Sequence, residues 1–266
     1  MKKWLFTDFD GTITESDSVH KPVIPEENIE FLKEFGKDNN LVITTGRSYS
    51  YLKDFLEKEV GIFPQYYICS TGGISYDSKD NLIYDNSFTN EEKNLFIETL
   101  KQFEDEIDVL CITTTTSFEC IIAKEWNDDL AGFTGKDKVS DLKLDDYKNL
   151  SILSSDIVIS ENIWNKIKSI FVNSNLDFGW VERIEKGIAI IEFHRKSTSK
   201  ANGITRFKEL FNINHDDIIT AGNDYNDISM FKEYNKNSYI VVQENYNEDI
   251  RHEARYEIKL LNEIKY

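Results

Sequence analysis

The chain has 266 residues, 40% of them hydrophobic, and a formal net charge of −17. That size allows one large domain or two small ones. The charge argues against a nucleic-acid partner, because no basic stripe with interleaved aromatics offsets it, and no apolar run approaches the roughly 20 residues that cross a bilayer.

Residues 4–9, WLFTDF, read as a buried strand that breaks on two acids, Asp8 and Asp10, followed by Gly11 and Thr12. The apolar stretch stops too early for a secretory leader, so a cytoplasmic location is the default expectation. PEENIEFLKEFGKDNN reads as a helix. Pro25 suits its first turn, Glu26 and Glu27 suit its amino-terminal dipole, and Ile29, Leu32 and Phe35 are helically spaced. LVITT (41–45) is a second buried strand, SYSYLKDFLEKEVG a helix, and YYICS (66–70) a third strand. Strand and helix in alternation predict a parallel sheet covered by helices on its faces.

From about residue 74 the grammar changes. ISYDSKDNLIYD reads as a hairpin around Lys79, Asp80 and Asn81, and NEEKNLFIETLKQFE as a helix. VLCITTTTSFECIIAK reads as two antiparallel strands joined at Thr116 and Ser117. The stretch from Trp126 to Asn149 is polar and irregular. LSILSSDIVIS reads as a strand, ENIWNKIKSIF as a helix, and DFGWVERIEKGIAIIEFHR as a second hairpin. After Lys196 the first grammar returns: KANGITRFKELF is a helix, DIITAG a strand, NDISMFKEY a helix and SYIVV a strand. The expected organisation is therefore an α/β core, a Rossmann-like parallel sheet formed by residues 1–80 and 191–266. An α+β domain, residues 81–190, is inserted in it, and its length of about 110 residues suits an independent domain.

Ligands of open parallel sheets bind at the carboxyl ends of the strands. Four polar clusters fall at such ends: Asp8 to Thr12, Thr44 to Arg47, Ser70 to Gly73, and Gly222 to Asp227. Lys200 opens the helix before the last of them. The three cysteines and four histidines show no metal-ligand spacing, which argues against zinc. DxDG alone is more often a turn or a helix cap, and neither it nor NDYND has the glycine and glutamate positions of a calcium loop. The order and spacing of the four clusters with the lysine are far more specific.

DFDGT, TTGRS, the lysine of TSKANGI and GNDYNDISMF together resemble the four motifs of the haloacid dehalogenase superfamily. The insert between the second and third motifs resembles that of its C2-capped, subfamily IIB branch, which includes Cof-type and sucrose-phosphatase-like phosphatases. The resemblance implies a Mg²⁺-dependent phosphatase that hydrolyses a small phosphorylated metabolite, most plausibly a sugar phosphate, under a C2 cap. Asp8 would be the nucleophile that forms an aspartyl-phosphate, and Asp10 the general acid and base. The second aspartate is absent from dehalogenases, so carbon–halogen cleavage is disfavoured. Mg²⁺ would be held by Asp8, the backbone carbonyl of Asp10, Asn223 and Asp227. Phosphate would be held by Lys200, the Thr45 hydroxyl, Asn226, and the N–H groups of Gly11, Thr12 and Gly46. Arg47 would face a distal part of the substrate or pair with a surface acid, and His194 and Arg195 lie where the insert returns to the core. One position departs from the pattern: Asn223 stands where the family usually has an aspartate. Asn223 can ligate as a neutral oxygen, Asp224 can swing in, or Asp227 can take over; the expectation is Asn223, with Asp227 close behind. A phosphotransferase or mutase on the same scaffold, and a non-catalytic binding protein, are the alternatives.

Overall fold

The computed structural model describes residues 2–15, 22–107, 109–113, 118–123, 149–154, 157–183, 188–243 and 247–266. They form two compact units, residues 1–85 with 198–266, and residues 86–197.

The first unit begins with β1 (Trp4–Thr7), α1 (Glu26–Asp38), β2 (Asn40–Thr44), α2 (Tyr49–Asp54), β3 (Tyr66–Cys69), β4 (Ile74–Asp77) and β5 (Leu82–Asp85). A π-helical turn, Phe55–Val60, extends α2 and stops at Gly61. The second unit carries α3 (Asn90–Leu100), β6 (Val109–Thr113), β7 (Phe118–Ala123), β8 (Asn149–Ser154), α4 (Ile157–Phe171), β9 (Leu176–Arg183) and β10 (Ile188–Arg195). The first unit resumes with α5 (Lys200–Phe211), β11 (Ile218–Gly222), α6 (Ile228–Glu233), β12 (Ser238–Val241) and β13 (Tyr256–Ile258).

The first unit is built on one eight-stranded sheet in the order β13-β12-β11-β1-β2-β3-β4-β5. Pairing is parallel from β13 to β3, and the β4–β5 hairpin closes one edge antiparallel. The strands are apolar on both faces because both are covered. Leu5, Leu41, Ile43, Tyr67 and Ile219 pack with Leu32 and Phe35 of α1 and Leu52 of α2. Their strand neighbours Phe6, Val42, Ile68 and Ile218 pack on the other face, with Ile204 and Phe207 of α5 and Met230 and Phe231 of α6. Side chains alternating between two covered faces give the three-layer α/β/α arrangement. β1 lies between β2 and β11, so the strand order reverses there and a crevice opens outside the carboxyl ends of these strands.

The second unit has a five-stranded sheet, β7-β6-β8-β10-β9, antiparallel throughout. Phe96 and Leu100 of α3 and Ile163, Ile167 and Phe171 of α4 form its core with Leu110 and Phe193. Thr89 and Glu92 close a reciprocal capping box at the start of α3.

Three expectations shift. The residues Leu82–Asp85 are a strand of the large sheet, so the first unit extends past residue 80, and the chain re-enters it after residue 197. Both boundaries move because a paired strand cannot be divided between units. The segment expected to end a strand, IVIS, instead opens α4; Ile159, Ile163, Ile167 and Phe171 continue one four-residue repeat, and helical period prevails over local β propensity. The edge strand β13 had no signal as short as three residues. The turn at Thr116 and Ser117, and the stretch holding Trp126 and Phe133, lie outside the described residues.

Candidate active site

Asp8 is the first residue beyond β1. Its N–H donates to the Ala221 carbonyl (2.8 Å), which continues the β1–β11 ladder one step and fixes where the side chain leaves the sheet. The chain then turns tightly, with the N–H groups of Ile13 and Thr14 donating to the Phe9 carbonyl at 3.0 and 3.1 Å. Gly11 makes this turn possible twice over. Its φ is +73°, and a Cβ there would sit 2.3 Å from the Asn223 amide.

Lys200, the first residue of α5, is fully buried. Its ammonium donates to Asp8 Oδ1 and to Asp227 Oδ1, each at 2.6 Å. The other Asp227 oxygen accepts from the N–H groups of Asn223 (2.9 Å) and Asp224 (3.0 Å). Gly222 permits this fold-back, since a Cβ there would lie 2.4 Å from the Asp227 carboxyl carbon. Burial pushes the Lys200 ammonium toward losing its proton, but Asp227 and Asp8 outweigh burial and the group is held protonated. Burial pushes the Asp8 carboxyl up to about 7; Lys200 opposes this, while Asp227 and Asp10 reinforce it. Two buried carboxylates thus share one ammonium, and with both ionised the trio carries one negative charge in excess.

Asn223 follows β11 and is buried. With its amide nitrogen turned inward it donates to Thr12 Oγ1 (2.9 Å), the Asp10 carbonyl (2.9 Å) and Asp8 Oδ2 (3.2 Å). The opposite rotamer sets the amide oxygen against the same three oxygens, where only the Thr12 hydroxyl can donate, at 2.9 Å.

Asp10 leaves on the other side of the turn, its carboxylate half exposed. Arg47 grips it as a fork: Nε lies 3.0 and 2.8 Å from Oδ1 and Oδ2, and Nη2 lies 2.7 Å from Oδ1. The guanidinium also stands over the rings of Phe9 and Tyr51, 5.4 and 5.2 Å from their centroids. Of the two sequence readings of Arg47, the structure shows the ion pair, made to the general-acid candidate itself. Thr45 is buried, and its hydroxyl accepts from the Arg47 N–H (3.2 Å), leaving its own proton to donate. Gly46 is exposed beside it.

Asp8, Asp10, Thr12, Thr45, Arg47, Lys200, Asn223 and Asp227 are therefore brought together at one sheet edge. The other candidate groups are exposed or already have hydrogen-bond partners. The N–H of Gly11 donates to Thr14 Oγ1 (3.1 Å), and that of Thr12 reaches the Phe9 carbonyl at 3.4 Å, both within the turn itself. Asn226 is exposed on the Tyr225–Asp227 turn. Both Asp227 oxygens accept hydrogen bonds, one from Lys200 and one from the Asn223 and Asp224 N–H groups. Asp224 caps its own turn (Tyr225 N to Oδ1, 2.6 Å) and is held there by Asn247 Nδ2 (2.9 Å). In the second unit, Arg195 is taken by Glu92 (3.1 Å) and Asn86 (2.8 Å), and the His194 ring by the Arg195 carbonyl (3.1 Å).

Several supporting residues carry no motif. Gln243 Nε2 donates to the Gly11 carbonyl (2.7 Å), and Asn247 Nδ2 to the Asn223 carbonyl (3.1 Å). Asn28, buried in α1, donates to the Ile13 carbonyl (3.0 Å) and accepts from the Leu261 N–H (2.8 Å). Only Asn28 left a signal, as a polar residue beside the apolar stripe of its helix. Ser70 and Thr71 after β3 hold φ of +51° and +54°, a conformation that costs about 1–3 kcal/mol for such residues. The Thr71 N–H donates to the Thr45 carbonyl (2.9 Å), so this turn braces the Thr45–Arg47 loop.

The oxygen set suits a small hard cation. Among the described residues no group of three His, Cys, Asp or Glu gathers as a metal cluster. The candidate set is instead one carboxylate, one amide and one backbone carbonyl. The inward amide atom of Asn223 lies 2.9 Å from the Asp10 carbonyl and 3.2 Å from Asp8 Oδ2. Neighbouring oxygens of a Mg²⁺ octahedron stand about 2.9 Å apart, from bonds of roughly 2.0–2.1 Å. The excess negative charge asks for the same partner.

Acids, a hydroxyl and a buried lysine thus gather at the switch point of a parallel sheet. A family model for haloacid dehalogenase-like hydrolases matches residues 5–263. An uncharacterized protein of Mycoplasma capricolum is 36% identical over 267 residues, covering 100% of both chains. A phosphatase of the haloalkanoate (HAD) superfamily from Bacteroides thetaiotaomicron superposes with TM-score 0.72 at 18% identity, over 97% of this chain and 89% of the other. A HAD subclass IIB sugar phosphatase superposes with TM-score 0.70 at 19% identity, over 96% and 93%. The chain belongs to the haloacid dehalogenase-like hydrolase family, whose members include phosphatases and phosphotransferases.

Proposed function

We propose that this protein is a Mg²⁺-dependent phosphomonoesterase acting on a small phosphorylated metabolite through an aspartyl-phosphate on Asp8. The observation that carries this reading is the buried Asp8–Lys200–Asp227 arrangement beside Asn223 at the switch point of the sheet. The likeness in fold to a sugar phosphatase favours a sugar phosphate as substrate.

Asp8 attacks phosphorus, and the bond from phosphorus to the ester oxygen breaks. Lys200 aligns the attacking carboxylate and places a fixed positive charge beside the incoming phosphoryl group. Asp10 gives its proton to the departing alcohol oxygen, then takes one from the water that attacks the aspartyl-phosphate, releasing phosphate and restoring Asp8. Arg47 grips both Asp10 oxygens as a fork that suits the ionised carboxylate, so this grip loosens when Asp10 carries the proton. The Thr45 hydroxyl and the Gly46 N–H donate to phosphoryl oxygens. Asp8 Oδ2, the Asp10 carbonyl and the Asn223 amide oxygen would hold Mg²⁺, which when bound offsets the repulsion between phosphate and Asp8.

The test is phosphate release from a panel of phosphorylated metabolites across a Mg²⁺ titration. Asp8→Asn is expected to lower turnover by about 10³-fold or more with an unchanged circular dichroism spectrum. No release from any ester at any Mg²⁺ concentration, or an active Asp8→Asn variant, overturns the proposal.

A further inference from the structure

We propose that the Asn223 side-chain amide is a two-position element, whose nitrogen side holds the acidic cluster together without a cation and whose oxygen side receives the cation. The inference rests on the reading of Asp8, Asp10 and Asn223 as a Mg²⁺ site and concerns what this chain's asparagine adds to it.

The two faces of an amide have nearly the same shape and opposite hydrogen-bonding character. Around Asn223 that difference is decisive. The inward atom touches three oxygens, one each from Asp8, Asp10 and Thr12. As a nitrogen it carries two protons, one for the Thr12 hydroxyl oxygen and one for the Asp10 carbonyl. The Thr12 hydroxyl then accepts from Asn223 and keeps its own proton for Asp8 Oδ2, 3.5 Å away. Donors and acceptors match throughout. As an oxygen, the same atom faces a carboxylate and a carbonyl, and nothing but a cation or the single Thr12 proton can reconcile them.

The side chain is buried, yet the exchange needs only a half-turn about its terminal bond, and its backbone is pinned independently. The Asn223 N–H donates to Asp227 Oδ2 (2.9 Å) and its carbonyl accepts from Asn247 (3.1 Å). Rotation therefore breaks only the side-chain bonds. A carboxylate at this position has no donor face. It would press a buried negative charge against Asp8 and the Asp10 carbonyl whenever the cation is gone. Asparagine thus makes the cation-free protein stable, at the expense of cation affinity.

The experiment uses the full chain and Mg²⁺ alone, with no substrate. Asn223→Asp is expected to bind Mg²⁺ roughly ten-fold more tightly by calorimetry, since one ligand gains a charge. In EDTA the same variant is expected to melt about 4 °C or more below wild type. In the wild-type protein, the Asn223 side-chain NH₂ resonances, identified by their loss in Asn223→Ala, are expected to shift with the same Mg²⁺ midpoint as the calorimetric titration. This readout does not depend on the aspartate variant folding. If Mg²⁺ binds wild type and those resonances stay unmoved, or Asn223→Asp melts with wild type in EDTA, the two-position role is overturned and the cation site survives. If wild type binds no Mg²⁺ at millimolar concentration, the cation-site reading falls and the inference falls with it.

Discussion

The two sheets of this molecule treat buried polar groups in opposite ways. In the parallel sheet, Asp8, Lys200, Asn223 and Asp227 are all buried, and they arrive from three distant stretches of the chain. In the antiparallel unit, the buried charged residues among those described are Glu92 and Lys93, adjacent in the first turn of α3. Glu92 closes the cap with Thr89 and pairs with Arg195. The cause is topological. Parallel strands all end on one edge, so residues just beyond β1, β2, β3 and β11 must meet there. Antiparallel strands end alternately on opposite edges, so no single edge collects the residues beyond their ends. Buried charge in the first case is concentrated and reactive; in the second it completes a helix terminus.

The largest expected break in that contrast is Lys200→Met. It leaves the Asp8 and Asp227 carboxylates buried without their shared cation, and a loss of about 3–5 kcal/mol is expected in urea unfolding, together with loss of phosphate release. A stability equal to wild type would mean the trio is not coupled as its 2.6 Å contacts indicate. Asp10→Asn separates chemistry from stability at the same edge. Its carboxylate is half exposed, so unfolding should shift by no more than about 0.5 kcal/mol. Turnover is expected to fall by about 10²–10⁴-fold, and steady-state kinetics on one good substrate would decide. The smallest change lies in the other unit. Thr89→Ala removes the acceptor for the Glu92 N–H and should cost about 1 kcal/mol, while the Mg²⁺-induced rise in melting temperature stays as in wild type. A changed Mg²⁺ response would show that the α3 cap is not merely local.

Much of the core could be read from the chain because its signals are local. Leu5 and Phe6, Val42 and Ile43, and Ile68 and Cys69 alternate within single strands, and each strand ends in a contiguous polar run. Lys200 stood out by its place at the start of a helix. The supports of the site were invisible for the converse reason. Gln243 and Asn247 are ordinary polar residues until the fold sets them against the Gly11 and Asn223 carbonyls. Local β propensity misplaced the start of α4, where IVIS reads as a strand although it continues the helical repeat of Ile163, Ile167 and Phe171.

The sequence by itself determined the alternating α/β pattern, the inserted unit, and the identity of the acids, the hydroxyl and the lysine, since these follow from residue type and spacing along the chain. Only the tertiary structure decided their division of labour. The Asp227 carboxylate folds back beneath Gly222 and meets Lys200. The Gly11 and Thr12 N–H groups turned inward, to Thr14 Oγ1 and the Phe9 carbonyl of their own turn. Asp10 turned to Arg47, and Asn223 to three oxygens at once. Each outcome depends on which donor stands opposite which acceptor across the sheet edge, a relation between residues up to 215 positions apart that spacing along the chain does not encode (Asp8 to Asn223 spans 223 − 8).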